Sequence, residues 1–435
     1  MSNTNFVRYD AYKDSGVGWL GEVPAHWDIC RLKELSNIQN SNVDKKSHEG
    51  ETHVQLCNYV DVYKNEFINV SLNFMWATAD ESEIKRFRIK KNDVLITKDS
   101  ETCDDIAIPA LATESLDGVL CGYHLAQFRT KDKTLLGSYL FRLFQSKSYG
   151  FRFVISAKGI TRVGLGQSAI INSLTPVPPL LEQTTIAAYL DTKIAHIDRK
   201  IDLLSQKAAQ YGMLKQSLIN ETVTRGLDKT VAMKDSGIEW IGEVPKHWEV
   251  QRIGTAFEER SEKVNDTDYP PLSVSMGGIV PQIKSVAKTN NNENRKRVAV
   301  GDYVINSRSD RRGASGISIY DGSVAVISIV LSHRQSFFGK YLHHLFRSYR
   351  FIEEFYRVGR GIVDDLWTTR YSVMKAIEFA CPSYEEQEII ADYLDEKTAQ
   401  IDRIVETINS QIEKLKELRK TLINDVVTGK IKVMK

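Results

Sequence analysis

The polar residues of this chain offer chemistry of one main kind, the holding of a polyanion. Phosphate contacts need Lys and Arg, and base edges in a groove are read by Arg, Lys, Asn or Gln. Lys85, Arg86, Arg88, Lys90 and Lys91 form a dense run whose alternation predicts a strand with one basic face. Lys98, in Ile96-Thr97-Lys98-Asp99-Ser100, directly follows an apolar run, and Lys158-Gly159-Ile160-Thr161-Arg162 is a Gly-containing loop with a cation at each end. Farther on, Asn306–Gly313 supplies Ser307, Arg308, Arg311 and Arg312, and Arg357-Val358-Gly359-Arg360-Gly361 adds Arg360. Lys98 and Arg308 stand at similar places after matching runs that reach Ile96 and Ile305, and Arg162 lies in the counterpart of the loop after Gly361. A basic, Gly-containing loop that recurs at equivalent places reads as a binding feature. Trp367 and Tyr123 read as packing residues.

Residues for bond-breaking chemistry are missing from the pattern. Asp99, Glu101, Asp104 and Asp105 are acidic enough for a metal but read as a surface loop. His26 and His247 sit beside tryptophans with no second ligand at zinc spacing. The Asn/Asp-Pro-Pro-Tyr/Phe tetrapeptide of adenine methyltransferases is absent: the Pro-Pro pairs are Val177-Pro178-Pro179-Leu180 and Tyr269-Pro270-Pro271-Leu272. No phosphate-cradling G-x-x-x-x-G-K-[ST] occurs, and no Ser/His/Asp set has a recognisable context. No catalytic residue and no metal ligand is read from the sequence.

The elements that must position the loops are two long helices. In the first, Leu190, Ile194, Ile197, Ile201, Leu204, Ala208 and Tyr211 recur at alternating steps of four and three, with Leu218 one heptad on. The same seam returns 204 residues later at Leu394, Thr398, Ile401, Val405, Ile408, Ile412, Leu415 and Leu422. A heptad seam buries itself only against a partner, so the two helices are expected to pair with each other. A helix from about Glu182 to Val223 spans roughly 60 Å at 1.5 Å per residue. Gly226 and Gly429 are the expected stops, and Ser383-x-x-Glu386 is an expected capping box.

Each helix closes one copy of an internal repeat. Lys13–Trp27 reads KDSGVGWLGEVPAHW and Lys234–Trp248 reads KDSGIEWIGEVPKHW, a turn-rich docking element. The segment between docking element and helix diverges, and the shift falls from 221 to 204 across it. Inside it, Asn92–Ile96 matches Gly301–Ile305, Tyr139-Leu140…Leu143-Phe144 matches Tyr341-Leu342…Leu345-Phe346, and Gly159-Ile160 matches Gly361-Ile362. Strands are expected at Val54–Val62, Asp93–Thr97, Val119–Arg129, Asp302–Ser307 and Val324–Leu331, a hairpin turn at Asp321-Gly322, and helices at Leu135–Tyr149 and Lys340–Phe355. The division is 1–27 and 227–248 as docking segments, 28–177 and 249–381 as inserts, 178–226 and 382–429 as long helices, and 430–435 as a tail. The fold class is α+β: two mixed α/β domains joined by an antiparallel coiled coil with an internal pseudo-two-fold repeat.

The totals fit this plan. The chain has 435 residues, 42% hydrophobic, with a net charge of only +2, so any basic surface is a local segregation. Five cysteines without a C-x-x-C fit a reducing compartment. With no apolar h-region and no long apolar run, a cytoplasmic, membrane-free protein is expected.

The frame SG-x-x-W-x-G-x-x-P-x-HW, then P-x-x-x-EQ-x-x-I-A-x-YLD-x-K at Pro178–Lys193 and Pro382–Lys397, then LIN-[ED]-x-VT at Leu218–Thr224 and Leu422–Thr428, resembles the DNA specificity subunit of type I restriction-modification systems. The resemblance covers the whole chain, in duplicate and in the family's order. It implies two target-recognition domains, each reading one half of a split, asymmetric double-stranded DNA site, with the paired helices as a spacer that docks two methyltransferase subunits. Restriction and translocase subunits would complete the complex, with S-adenosylmethionine, ATP and Mg on the partners and no cofactor on this chain. The inserts are where the family varies most, so no base-reading residue carries over. Two other readings stay open: a self-contained DNA-modifying enzyme, and a coiled-coil interaction protein with no DNA role.

Overall fold

The computed structural model describes residues 7–131, 133–282, 293–361 and 367–433. Ile362, one member of the Gly-Ile match, and the first residues of the stretch scanned for a targeting signal lie outside them. The chain folds as two compact units, residues 1–204 with 410–435, and residues 205–409.

The first unit is built on a strand with both faces buried. Val94–Thr97 puts Val94 and Ile96 into one core and Leu95 into another, as a period of two dictates when both faces are covered. It lies in a five-stranded sheet ordered Ser36–Asn40, Leu125–Thr130, Val94–Thr97, Pro109–Ala112, Phe67–Ile68, antiparallel except at the last edge. A three-stranded sheet of Val119–Cys121, Thr52–Cys57 and Met75–Ala79 covers the second core. The second unit repeats the device: Tyr303 and Ile305 face one core and Val304 another. Its four-stranded sheet runs Phe257–Glu259, Ile329–His333, Tyr303–Ile305, Ser315–Ile317, beside a three-stranded sheet of Lys263–Val264, Arg295–Val298 and Gly322–Ala325. The acid before each central strand anchors it, Asp93 to Arg129 (2.7 Å) and Asp302 to Arg260 (2.7 Å).

Several expected elements differ. Val54–Val62 is a strand only to Cys57, and Tyr59–Lys64 is a helix that Asn58 begins. Val119–Arg129 and Val324–Leu331 are each two strands separated by a turn. Asp321-Gly322 closes no hairpin, because Ser315–Ile317 pairs with Tyr303–Ile305 while Gly322–Ala325 pairs with Arg295–Val298 in the other sheet. Each of the two expected insert helices is broken by a serine cap: Ser146 Oγ accepts from Tyr149 N and Ser348 Oγ from Phe351 N, which starts a new helix. The basic run at Lys85 is not a strand. Asp80 caps a helix over Glu81–Phe87, with Glu83 N donating to Asp80 Oδ1 at 2.8 Å, and this local cap outweighs the alternation.

The long helices are Leu180–Arg225 and Tyr384–Val427. Within the first unit Arg419 bonds Asp198 (3.0 Å), and within the second Lys215 bonds Asp402 (2.7 Å). The step from Asp198 to Lys215 equals the step from Arg419 back to Asp402, so both pairings share one antiparallel register. Leu190, Ile194, Leu394, Ile401, Ile408, Ile412 and Leu422 are buried, whereas Ile197, Ile201, Leu204, Val405 and Leu415 are half-buried, as the seam of a two-stranded coil requires. Both helices end at glycines with positive φ, Gly226 (+71°) and Gly429 (+79°).

Candidate nucleic-acid interface

The repeated motif residues form the frame of the site. In each insert the first and last strands pair with each other, Asp28–Arg31 with Leu174–Val177 and Glu249–Arg252 with Glu378–Cys381. An insert therefore begins and ends at one two-stranded ribbon. The Glu-Gln pair at each helix start does two jobs. Glu182 accepts from Tyr9 Oη, His26 Nε2 (2.8 Å) and Trp27 Nε1 (3.1 Å), and Glu386 from His247 Nε2 (3.0 Å) and Trp248 Nε1 (2.9 Å). Gln183 and Gln387 tie the starts of the insert helices, accepting from Leu136 N (2.8 Å) and Phe338 N (3.0 Å). Ser383 Oγ accepts from Glu386 N (3.2 Å), but the Glu386 carboxylate turns to the histidine and indole, so only half of the expected capping box forms.

The far end of the opposite repeat's helix completes each core. Tyr139 Oη donates to Val427 O (3.2 Å) and Tyr341 Oη to Val223 O (3.4 Å). Asn424 accepts from Ser148 N and Asn220 from Arg350 N. These contacts account for the Tyr-Leu and Leu-Ile-Asn motifs, whose roles the sequence did not reveal. His26 and His247 are clasp residues in this arrangement. Among the described residues no group of three or more His, Cys, Asp or Glu is placed to hold a metal.

On this frame the basic loops come together, which spacing alone did not show. In the first unit Asp99–Ser100 pairs with Val163–Gly164, and Lys158 and Gly164 exchange two backbone bonds of 2.9 Å. The loop after the central strand and the loop after helix Lys147–Ser156 thus form one small ribbon. Lys98 is mostly buried and bonded to Asp99 (2.7 Å), which also meets His124 (3.1 Å). Burial alone would raise the Asp99 pKa, but the bonds from Lys98 and His124 prevail and hold it below the usual carboxylate range. Lys158 and Arg162 are exposed and have no carboxylate partner among the described residues. Asp105 accepts from Thr102 Oγ1 (2.6 Å), so the acidic loop is tied within itself.

The second unit has the same connection. Arg308 and Arg360 both pair with Thr368, with Arg360 N donating to Thr368 O at 2.9 Å. Tyr356 Oη donates to Arg308 O (3.0 Å), and Trp367 Nε1 donates to Tyr356 O (2.8 Å), which makes Trp367 a packing residue. Arg308 bonds Asp310 (3.1 Å), and Arg312 meets Glu353 (3.4 Å) over the Tyr356 ring. Arg311 and Arg360 are exposed. Ser307 is buried and donates to Ile327 O (2.6 Å), so it positions the loop. Lys85 and Arg86 lie on the helix Glu81–Phe87, apart from the ribbon pairing.

Such an arrangement, cationic ribbon loops on a rigid frame, suits a nucleic-acid duplex: a two-stranded ribbon fits a major groove, and cations flank it for phosphates. Comparison with known proteins agrees. Residues 24–210 match the family of the Type I restriction modification DNA specificity domain. Two proteins of Methanocaldococcus jannaschii, named as the type I restriction enzyme MjaX and MjaVIII specificity subunits, are each 23% identical to the chain; they cover 95% and 94% of it, and it covers 96% and 94% of them. The fold matches a solved chain described under complex assembly and conformational transition of the type I R-M system (TM-score 0.70, 16% identity, 93% of this chain and 98% of that one). It also matches the HsdS subunit of Thermoanaerobacter tengcongensis (TM-score 0.55, 16% identity, 94% and 98%). Over residues 24–210 the chain thus matches a DNA specificity domain, and over nearly its whole length it is similar to type I specificity subunits. No helix among the described residues is long and apolar enough to cross a membrane.

Proposed function

We propose that each insert, 28–177 and 249–381, reads one half of an asymmetric bipartite DNA site, and that the paired helices set the spacing and dock two methyltransferase subunits. One observation carries this reading: two unlike basic ribbons stand on two frames held by the same contacts. The chain itself is non-catalytic in this reading and acts in the cytoplasm. Partner subunits carry S-adenosylmethionine for adenine methylation, and restriction and translocase subunits use ATP and Mg. Lys158, Arg162, Arg311 and Arg360 supply the exposed phosphate or base contacts, while Lys98, Ser307, Arg308 and Arg312 hold the ribbons in place.

The test is an exchange of residues 28–177 for the insert of another such subunit, followed by single-molecule methylome sequencing of cells that express the hybrid. One half of the methylated sequence changes and the other stays. A change in both halves, or in neither, rejects the modular reading. Methyl transfer by the purified chain without partners would reject the non-catalytic role.

A further inference from the structure

The cationic ends of the Lys158–Gly164 loop leave one residue unexplained. Ile160, at its tip, is wholly exposed, an aliphatic side chain where a solvated turn ordinarily carries Gly, Asn, Asp or Ser. The tip is not loose. Gly159 has φ +141°, and a Cβ there would lie 1.8 Å from Arg162 O, so the turn closes tightly under Ile160. Lys158 and Gly164 clamp its base, and Val163 and Leu165 are buried in the core. The free chain gains nothing from holding an isoleucine in water on a rigid tip between two cations. Exposed cations such as Lys158 and Arg162 are the groups that meet phosphates, and a two-stranded ribbon is an element that a major groove admits. The one apolar group that base edges present there is the C5-methyl of thymine.

We propose that Ile160 is a base-reading residue that packs on the C5-methyl group of a thymine in one half-site. This rests on the reading of insert 28–177 as a DNA-recognition domain. The tip is at once rigid, apolar and flanked by cations.

The experiment uses the full chain with its methyltransferase partner and a duplex selected from random sequence by that complex. Each thymine of the selected site is replaced in turn by deoxyuridine, which removes only the methyl group. Replacement at one thymine weakens binding by the wild-type complex about fourfold, the value of one buried methyl group. Ile160→Ala binds about tenfold more weakly and no longer senses that replacement. Arg162→Ala keeps the deoxyuridine effect but has a salt dependence lower by about one phosphate contact. Unchanged thermal melting of Ile160→Ala separates lost contact from lost fold. Wild-type affinity in Ile160→Ala, a deoxyuridine effect that survives it, or a selected site without an Ile160-dependent thymine overturns the proposal and leaves DNA recognition standing. A complex that selects no sequence overturns both.

Discussion

The two units solve one structural problem with different chemistry. In the first, Glu182 holds a phenol, an imidazole and an indole, and its side chain is 3% exposed. In the second, Thr230 stands where the repeat would place Tyr9, and Glu386, with two donors, is 28% exposed. One helix later, Arg142 meets Asp191 (2.7 Å) in the first unit, whereas His344 meets Asp395 (2.8 Å) in the second. Geometry is kept while burial and charge type drift. The frame therefore constrains where groups sit more tightly than which groups they are, and the inserts it carries differ more still.

The clasp is the place to break this comparison hardest. Glu182→Ala leaves three donors facing a buried gap and costs about 3 kcal/mol or more, whereas Glu386→Ala, nearer solvent, costs about 1 kcal/mol. Denaturant unfolding monitored by hydrogen exchange in each unit measures both. Equal losses would show that burial of the clasp does not matter.

The glycine stops come next. A Cβ on Gly429 would lie 2.3 Å from Pro24 Cδ, while one on Gly226 comes no closer than 3.3 Å to Trp248 or Glu386. Gly429→Ala adds overlap to a left-handed backbone and costs about 3 kcal/mol; Gly226→Ala costs about 1 kcal/mol. Melting temperatures of the two variants rank them, and a reversed order would refute the difference in packing.

Acid sharpens the contrast more gently. His343 is pushed down to about 4 by burial and by Arg347, and His344 is lowered by burial despite Asp395. An unfolded histidine titrates near 6.5, so the unfolded chain binds more protons below that pH. The stability from keeping these rings neutral is full above pH 6.5 and is lost as pH falls below it, for His343 down to about 4, at up to about 1.4 kcal/mol per pH unit for that site. Phe141 and Arg142 occupy these places in the first unit. Exchange rates at pH 5 should therefore rise in helix Gly339–Phe346 before helix Gly137–Gln145, and His343→Phe should narrow the gap. The smallest effect is Arg162→Ala, which weakens DNA binding across all sequences by roughly one phosphate contact in a salt titration.

What the sequence made legible was local. A seam of alternating fours and threes identifies a paired helix because a 3.5-residue period needs only neighbouring residues. Val94–Ile96 reads as a strand because β-branched residues lie between polar stops. The contacts that define the ribbon were hidden because Asp99 and Gly164 are far apart in sequence and meet only after the insert closes. Lys98 and Ser307 were visible as polar residues after apolar runs, but their burial is set by Asp99 and by Ile327 O across a fold that no local pattern encodes. The repeated Glu-Gln was legible as a motif. Its role as a clasp needed the tryptophans, more than a hundred residues away, to be in place.

The borrowed helix ends also order events in time. The core of the first unit contains Leu422, Ile423, Val426, Val427 and Ile431, which a ribosome adds after every residue of 28–204. That domain waits with an open apolar strip through the synthesis of the whole second repeat, whereas the second unit's borrowed Val223 is already made when its own strands emerge. The half translated first is thus the half completed last, and it is the one that a chaperone would have to shield in a growing chain.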